Sequence, residues 1–496
     1  MNQENTRGMK TRFLFFVLWL LASITRYLLR LAKPFRKTLS GNGGTSLPGL
    51  LALRFMPHVL GAIVPPEDYP CVGVTGTNGK TTTSGFLAQG LNTILAGQVI
   101  QNTLGANMKT GITSLLLASS DPFGKLEGKG CVLELDEASV HGVVQAFPLD
   151  GLVVTNLYRD QLDRYGELDT TAAYIAKGFP HVKDVLYLNA DDPLVYALHR
   201  HASPHHRIVT FSVMLSSESE DPTLMDEGLH PIPFPIEGTE CPVCGHPLHF
   251  TRRVYAQLGG YDCPQCGFAH PVSPELQVTL VASSPEMGTE IAFTWQGIEA
   301  TYHYTLPVPG SFNVYNWAAA SCVCLDVLTQ RLGDPTQALQ AFIPESLLPK
   351  MQVFGRAETL QYQGKTLKVF LIKNPVGTSE VLRWVAMQPN IQILLALNDQ
   401  AADGKDVSWI WDAPFERLTH PQSKVKALPS VWVSGKRAED MALRLHYAGY
   451  ATEQLVCIPS LEQALQEACR SLNPKETLVV IPTYTALLSL QSLLKS

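Results

Sequence analysis

Charge is scarce in this 496-residue sequence. Asp, Glu, Lys and Arg make up 17% of it, against about 25% in ordinary globular chains. Basic residues do not predominate either: 38 Lys and Arg stand against 44 Asp and Glu, a formal charge of −6, which argues against a nucleic-acid binder. Its 37 glycines and 34 prolines are too few for a fibrous or low-complexity chain. No uninterrupted apolar run reaches the roughly 20 residues of a membrane-spanning helix. The ten cysteines do not read as the disulfide framework of a small secreted domain. No internal repeat is visible. What is present is a 45% apolar content, enough for ample core. At about 100–200 residues per domain the length suggests about three domains.

The charge is unevenly placed. Residues 1–37 carry Arg7, Lys10, Arg12, Arg26, Arg30, Lys33, Arg36 and Lys37 against the single acid Glu4. The tail is therefore +7 and the remainder −13. Between the cations, residues 13–24 are apolar and uncharged. That stretch is short for a span, and no small-x-small cleavage site follows it to mark a secretory signal. The basic flank on its C-terminal side would keep the body in the cytoplasm. The pattern fits a segment lying on the inner, anionic face of the cell membrane; a short spanning helix is the alternative.

Beyond a Gly-rich linker at 41–49, compact apolar strands are expected at 71–75, 130–135, 151–155 and 185–189, with helical stretches at 138–146 and 170–177 between them. Such alternation predicts a doubly wound parallel α/β sheet. Residues 203–308 break the rhythm and read as a partly antiparallel insertion, with short strands at 277–282 and 290–295. A helix is expected over 313–332. From about Met351 a second, Rossmann-like α/β region begins, with strands near 368–372, 391–397, 430–433 and 477–481.

Val72-Gly-Val-Thr-Gly-Thr-Asn-Gly-Lys-Thr-Thr82 falls where a strand turns into a helix. Backbone N–H groups of such a turn cradle phosphate oxygens. Lys80 would reach the β- and γ-phosphates and the Thr81 hydroxyl would ligate Mg²⁺. Val74 stands where the strict phosphate-loop pattern has its first glycine. The run Gly76, Thr77, Asn78, Gly79, Lys80, Thr81, Thr82 resembles the ATP loop of Mur ligases and folylpolyglutamate synthetases. Further segments match that family in order. Glu134 resembles its Mg²⁺ glutamate. Thr155-Asn-Leu-Tyr-Arg-Asp-Gln-Leu-Asp163 and Asn189-Ala-Asp-Asp192 resemble two strand-end segments. Gly310-Ser-Phe-Asn-Val-Tyr-Asn316 resembles the adenine-contacting helix, which implicates Asn313 and Asn316. Gly355-Arg-Ala-Glu358 resembles the motif whose arginine, here Arg356, contacts phosphate. The family's second-metal histidine is replaced by Gln161, a poor Mg²⁺ ligand, and Lys177 lies near the position of its carbamylated lysine.

Cys241-Pro-Val-Cys244-Gly and Cys263-Pro-Gln-Cys266-Gly are separated by eighteen residues. This spacing suits two knuckles sharing one structural Zn²⁺. His246 and His270 flank them, but four thiolates close the coordination sphere. The other cysteines read as buried free thiols.

A Mur-type ligase with an inserted Cys₄ ribbon resembles the MurT-type subunits of lipid II isoglutaminyl synthase. So do Lys373-Asn-Pro-Val-Gly377 and the segment from Leu397-Asn-Asp399 to Trp409-Ile-Trp-Asp412. The resemblance implies a carbon–nitrogen ligase that uses ATP, Mg²⁺ and a structural Zn²⁺ to amidate the D-Glu α-carboxylate of the lipid II stem peptide. It implies ammonia from a GatD-type glutaminase partner, whose Cys–His pair an aspartate of this chain completes. Asp399 is the candidate, with Asp403 and Asp406 behind it. No cysteine lies in a Gly-x-Cys-x-Gly turn, so glutamine hydrolysis within this chain is not expected. The implied organisation is a membrane-associating segment at 1–40, a Mur ligase ATP-binding domain at 41–350 with a zinc ribbon at 235–275, and a C-terminal domain at 351–496. The rivals are a ligase of the same fold that adds an amino acid without a partner, and a non-catalytic scaffold that binds nucleotide and membrane.

Overall fold

The structure is a computed structural model. It describes residues 14–21, 46–102, 106–147, 149–159, 168–216, 238–284, 288–298, 301–307, 310–348, 356–420, 423–425 and 430–494. Gln161 and the basic residues of the tail lie outside these, and so does the side chain of Arg356.

The larger sheet has nine strands: β1 (Cys71–Thr75), β2 (Val99–Gln101), β3 (Gly130–Glu134), β4 (Leu149–Val154), β5 (Val182–Asn189), β6 (Arg207–Leu215), β9 (Leu276–Ser284), β10 (Gly288–Trp295) and β11 (Tyr302–Leu306). Their order is β2-β3-β1-β4-β5-β6-β9-β10-β11. Every pairing up to β6–β9 is parallel, and β9–β10–β11 close the edge as an antiparallel meander. β1 and β3 are buried at every position, as expected of parallel strands covered on both faces. Alternate residues feed opposite cores. Val72, Val74, Val132 and Val153 face the helices Lys80–Ile94 and Ser311–Leu332. Cys71, Cys131, Leu133 and Val154 face the opposite layer, together with Ile112 and Leu116 of the helix Lys109–Ala118.

The expected insertion at 203–308 is therefore corrected. β6 and β9 are neighbours in the main sheet. A parallel connection needs a long crossover, and here it carries a small hairpin of β7 (His249–Tyr255) and β8 (Leu258–Asp262) with the four cysteines on its flanks. Among the described residues of that crossover the structure is a hairpin and no helix, so the strand–helix rhythm disappears from the sequence although the sheet continues.

The second sheet contains β12 (Arg356–Tyr362), β13 (Lys365–Phe370), β14 (Ile391–Ala396), β15 (Val431–Ser434), β16 (Leu455–Cys457) and β17 (Thr477–Pro482). Its order is β12-β13-β17-β14-β15-β16, parallel except for the β12–β13 hairpin. Its strands alternate in the same way between two cores: Ile393, Val433 and Val479 face one, Leu394, Trp432 and Val480 the other.

Candidate active site

The loop after β1 is stitched to the segment after β4. Thr77 N donates to Asn156 O (2.9 Å) and Asn78 N to Asn156 Oδ1 (2.8 Å). Thr155 Oγ1 donates back to Asn78 O (2.9 Å). Gly76 and Gly79 have φ of +118° and +84°, a region open chiefly to glycine. A Cβ at Gly76 would strike Thr155 Oγ1, and one at Gly79 would strike Asn316 Oδ1. The loop thus leads straight into the N-terminus of the helix Lys80–Ile94, and a helix N-terminus is suited to anions.

Lys80 Nζ donates to Gly76 O and pairs with Glu137 Oε1 at 2.9 Å, both side chains largely buried. Glu137 follows β3 by three residues, and its proximity to Lys80 was not evident from the sequence. Glu134 ends β3 in register with Val74 of β1. It is buried, and one carboxylate oxygen accepts from Asn107 Nδ2 (3.3 Å). Asn316 Oδ1 accepts from Thr83 Oγ1 (3.3 Å), and Asn316 Nδ2 donates to Asn313 Oδ1 (3.5 Å). The structure thus gathers Lys80, Thr81, Glu134, Asn313 and Asn316 around one loop. The glycine cradle, the lysine, the threonine at the helix's second residue and the buried carboxylate on the next strand fit a nucleotide phosphate chain and its divalent cation.

The second sheet reaches the same loop. Lys373 Nζ donates to Thr77 O (3.0 Å), and Asn374 Nδ2 to Asn78 Oδ1 (3.0 Å). Asn374 caps the helix Pro375–Ala386 by accepting from Gly377 N (2.8 Å). That bond fixes its amide and leaves the NH₂ for Asn78. Arg383 Nη2 and Glu380 Oε2 from the same helix engage Ser311 Oγ at 3.1 and 3.0 Å. Arg356 begins β12 opposite Phe370, three residues before Lys373.

The four cysteines converge. Their Sγ atoms all lie within 4.8 Å of one another, with Cys241–Cys266 at 3.5 Å and Cys244–Cys263 at 3.6 Å. Disulfides would need about 2.05 Å, whereas tetrahedral Zn–S bonds of about 2.3 Å place sulfurs roughly 3.8 Å apart. The two knuckles repeat one geometry: Gly245 and Gly267 both have φ of +74°, and each donates back to the first cysteine of its pair. This donor set fits zinc.

The hairpin is seated on Asp191, a wholly buried residue after β5. Its carboxylate accepts from Ser212 Oγ and Val213 N, each at 2.7 Å. Tyr315 OH donates to it at 2.7 Å, and His270 Nε2 lies at 2.7 Å. Tyr315 precedes Asn316, so the ribbon and the nucleotide-side helix share one acid. His270, beside the second knuckle, serves this contact.

Asp399 lies just beyond β14, with a half-buried carboxylate 3.3 Å from Arg437 Nη1. Arg437 also binds Asp440 at 2.7 Å, which holds the Asp440 carboxyl below its usual range. Asp403 is turned inward, accepting from Thr485 N (2.7 Å) and Gln400 N (3.1 Å). Asp406 accepts from Ser408 N (2.8 Å), which lowers its pKa. Of the three, Asp399 is the one not occupied in fixing its own loop. It shares the carboxyl edge of the sheet with Lys373: β17 lies between their strands, so the strands are about 10 Å apart. Lys177 is exposed, its Nζ 5.3 Å from the centroid of the Tyr174 ring.

The Mur ligase middle domain family matches residues 74–223, and the MurT ligase C-terminal family matches residues 371–487. The subunit MurT of lipid II isoglutaminyl synthase (glutamine-hydrolyzing) from Streptococcus pneumoniae is 34% identical, over 91% of this chain and 93% of that protein. The chain belongs to the MurT family. The Staphylococcus aureus MurT subunit is 32% identical over 92% of this chain and 95% of its own. Among solved structures, a pseudomurein peptide ligase type C from Methanothermus fervidus superposes with a TM-score of 0.60 at 18% identity, covering 87% of this chain and 79% of that one. This likeness shows the Mur ligase fold. The MurT C-terminal match begins two residues before Lys373, so the segment meeting the phosphate loop lies within the MurT-specific part.

Proposed function

We propose that the chain is the ATP-dependent synthetase subunit of a lipid II isoglutaminyl synthase. It amidates the D-Glu α-carboxylate of the stem peptide to D-isoglutamine, using ammonia from a GatD-type glutaminase. The observation that carries this reading is end-to-end similarity to named MurT subunits over more than nine-tenths of both chains. A carboxylate oxygen of D-Glu attacks the γ-phosphorus of ATP, the bond to ADP breaks, and an acyl-phosphate forms. Ammonia then adds to the acyl carbon and loses a proton, and phosphate departs to leave the amide.

Gly76, Thr77, Asn78, Gly79, Lys80, Thr81 and Thr82 bind the triphosphate through backbone N–H groups and the hydroxyls of Thr81 and Thr82. Lys80 and Arg356 offset the charge that develops on the transferred phosphoryl group. Asn313 and Asn316 orient the nucleotide base. Mg²⁺, held by Thr81 and Glu134, would draw charge from the phosphate oxygens. Lys373 and Asn374 hold the C-terminal domain (351–496) against the ATP-binding domain (41–350). Cys241, Cys244, Cys263 and Cys266 hold a structural Zn²⁺ within the 235–275 ribbon. Asp399 completes the partner's Cys–His pair, where a carboxylate orients the imidazole and stabilises its charged form. The basic segment 1–40 holds the enzyme at the inner face of the membrane, where a lipid-linked substrate resides.

The decisive assay incubates the chain and its glutaminase with lipid II, ATP, Mg²⁺ and glutamine. Product lighter by one dalton supports the reading. Turnover without a glutaminase or ammonium, with an amino acid incorporated, would favour the partner-free ligase instead.

A further inference from the structure

A helix over residues 14–21 is apolar all round. One side is docked: Phe15 and Leu18 are buried, and Trp19 Nε1 donates to Ser120 O (2.8 Å). Leu14, Phe16, Leu20 and Leu21 point outward, each well exposed.

A second helix, Leu47–Phe55, is amphipathic in the wrong sense for a soluble surface. Its Leu47, Leu50, Leu51 and Phe55 follow the i, i+3, i+4, i+8 stripe that ordinarily faces a core, yet all four are exposed, Phe55 at 64%. The small residues face inward. Gly49 N donates to Ser114 Oγ (2.7 Å), and a Cβ on Gly49 would strike Thr110 O. The close approach to the helix Lys109–Ala118 is therefore made by glycine and Ala52, leaving the large side chains outside.

Both helices rest on one stretch of chain. The second packs at Thr110 and Ser114. The first packs at Ser120 and Gly124, where the Phe15 ring lies near the glycine. Phe123, exposed at 88%, projects from the same stretch, and Val64, also exposed, binds Gly124 O. Exposed apolar surface of this extent marks an interaction face. Its charge setting identifies the partner: residues 1–66 hold nine Lys and Arg, the last of them Arg54, and one acid, Glu4. Apolar segments flanked in the sequence by cations suit an anionic lipid surface.

We propose that the helix at 14–21, the helix Leu47–Phe55 and the Phe123 loop form one monotopic binding face for anionic lipid bilayers. The protein body itself then lies on the membrane. The first helix lies flat, because Phe15, Leu18 and Trp19 are committed to the body. The helix Lys109–Ala118 beneath this face begins two residues after Asn107, which binds Glu134. The face therefore adjoins the site, and its value for catalysis rests on the lipid-linked substrate proposed above.

The test is sedimentation of the full chain with its glutaminase on vesicles of phosphatidylglycerol and phosphatidylcholine, without substrate, so that its outcome is independent of amidation. Binding is expected to fall at least tenfold on pure phosphatidylcholine. Leu50→Asp with Phe55→Asp, which leaves the tail intact, should lower it at least tenfold, with fluorescent-nucleotide binding unchanged as the check on folding. A Phe55→Trp variant should be quenched by lipids brominated high in the acyl chain and spared by those brominated at its end. Three results would overturn the proposal: full binding of the Leu50/Phe55 double variant with release only on loss of residues 1–36, quenching of Phe16→Trp from the bilayer centre, or no binding to anionic vesicles.

Discussion

Lys373 Nζ donates to the carbonyl oxygen of Thr77 at 3.0 Å, across 296 positions of sequence. One residue comes from the second sheet and the other from the phosphate loop. Asn374 and Asn78 repeat the relationship beside them. The C-terminal domain therefore engages the loop that would hold ATP, and a change on either side should be felt in turnover.

Replacing Lys373 or Asn374 with Ala should weaken positioning of the triphosphate without unfolding either domain. Misplacement of about 1 Å can cost about 100-fold, so a tenfold or greater fall in kcat/KM for ATP is expected. Kinetics with ammonium as the nitrogen source check this, since the partner is then not needed. Unchanged kinetics would make the contact incidental.

Lys80→Ala should lower amidation by at least about 100-fold, with glutamine and with ammonium alike. Loss with glutamine alone would move Lys80 out of the phosphoryl-transfer step.

Asp399→Asn keeps the shape of the residue and removes its charge. Glutamine hydrolysis by the complex should be lost while ammonium-driven amidation continues. Equal loss of both would reject the proposed role. Asp403→Asn serves as the comparison: it disturbs a carboxylate held by Thr485 and Gln400, so it should lower stability and affect both reactions.

Tyr315→Phe removes one donor from the buried carboxylate of Asp191. Such a loss costs about 1–3 kcal/mol, read as a lowered unfolding midpoint. Because Asn316 follows Tyr315, KM for ATP should rise more than kcat falls. Chelation or Cys263→Ser should act from the other side of the same acid, loosening the ribbon and lowering the midpoint, because metal binding and local folding are coupled. Folded protein without bound zinc would contradict the ribbon assignment.

The legible parts of the site were those written in contiguous residues. The phosphate loop needs a strand, two glycines and a Gly-Lys-Thr run in order, and the knuckles need two short Cys spacings. The relations between segments were not legible. Glu137 stands three residues after Glu134, and only the turn after β3 brings it to Lys80. Lys373 and Asn374 stand in a family signature, and nothing in the sequence signals that they reach the loop. Asp191 collects partners from four separated segments, a pattern that no local spacing encodes. β6 and β9 read as part of an insertion because the described part of their connection is a hairpin ribbon and breaks the strand–helix alternation. The core strands were recoverable because burial on both faces demands unbroken apolar runs.

The measurement that bears most directly on the central reading is the mass of lipid II after incubation with the chain, its glutaminase partner, ATP, Mg²⁺ and glutamine. The account predicts a product lighter by one dalton, formed only when ATP and a nitrogen source are both present, and absent with Lys80→Ala. Lipid II of unchanged mass, with both subunits folded and assembled, would contradict it.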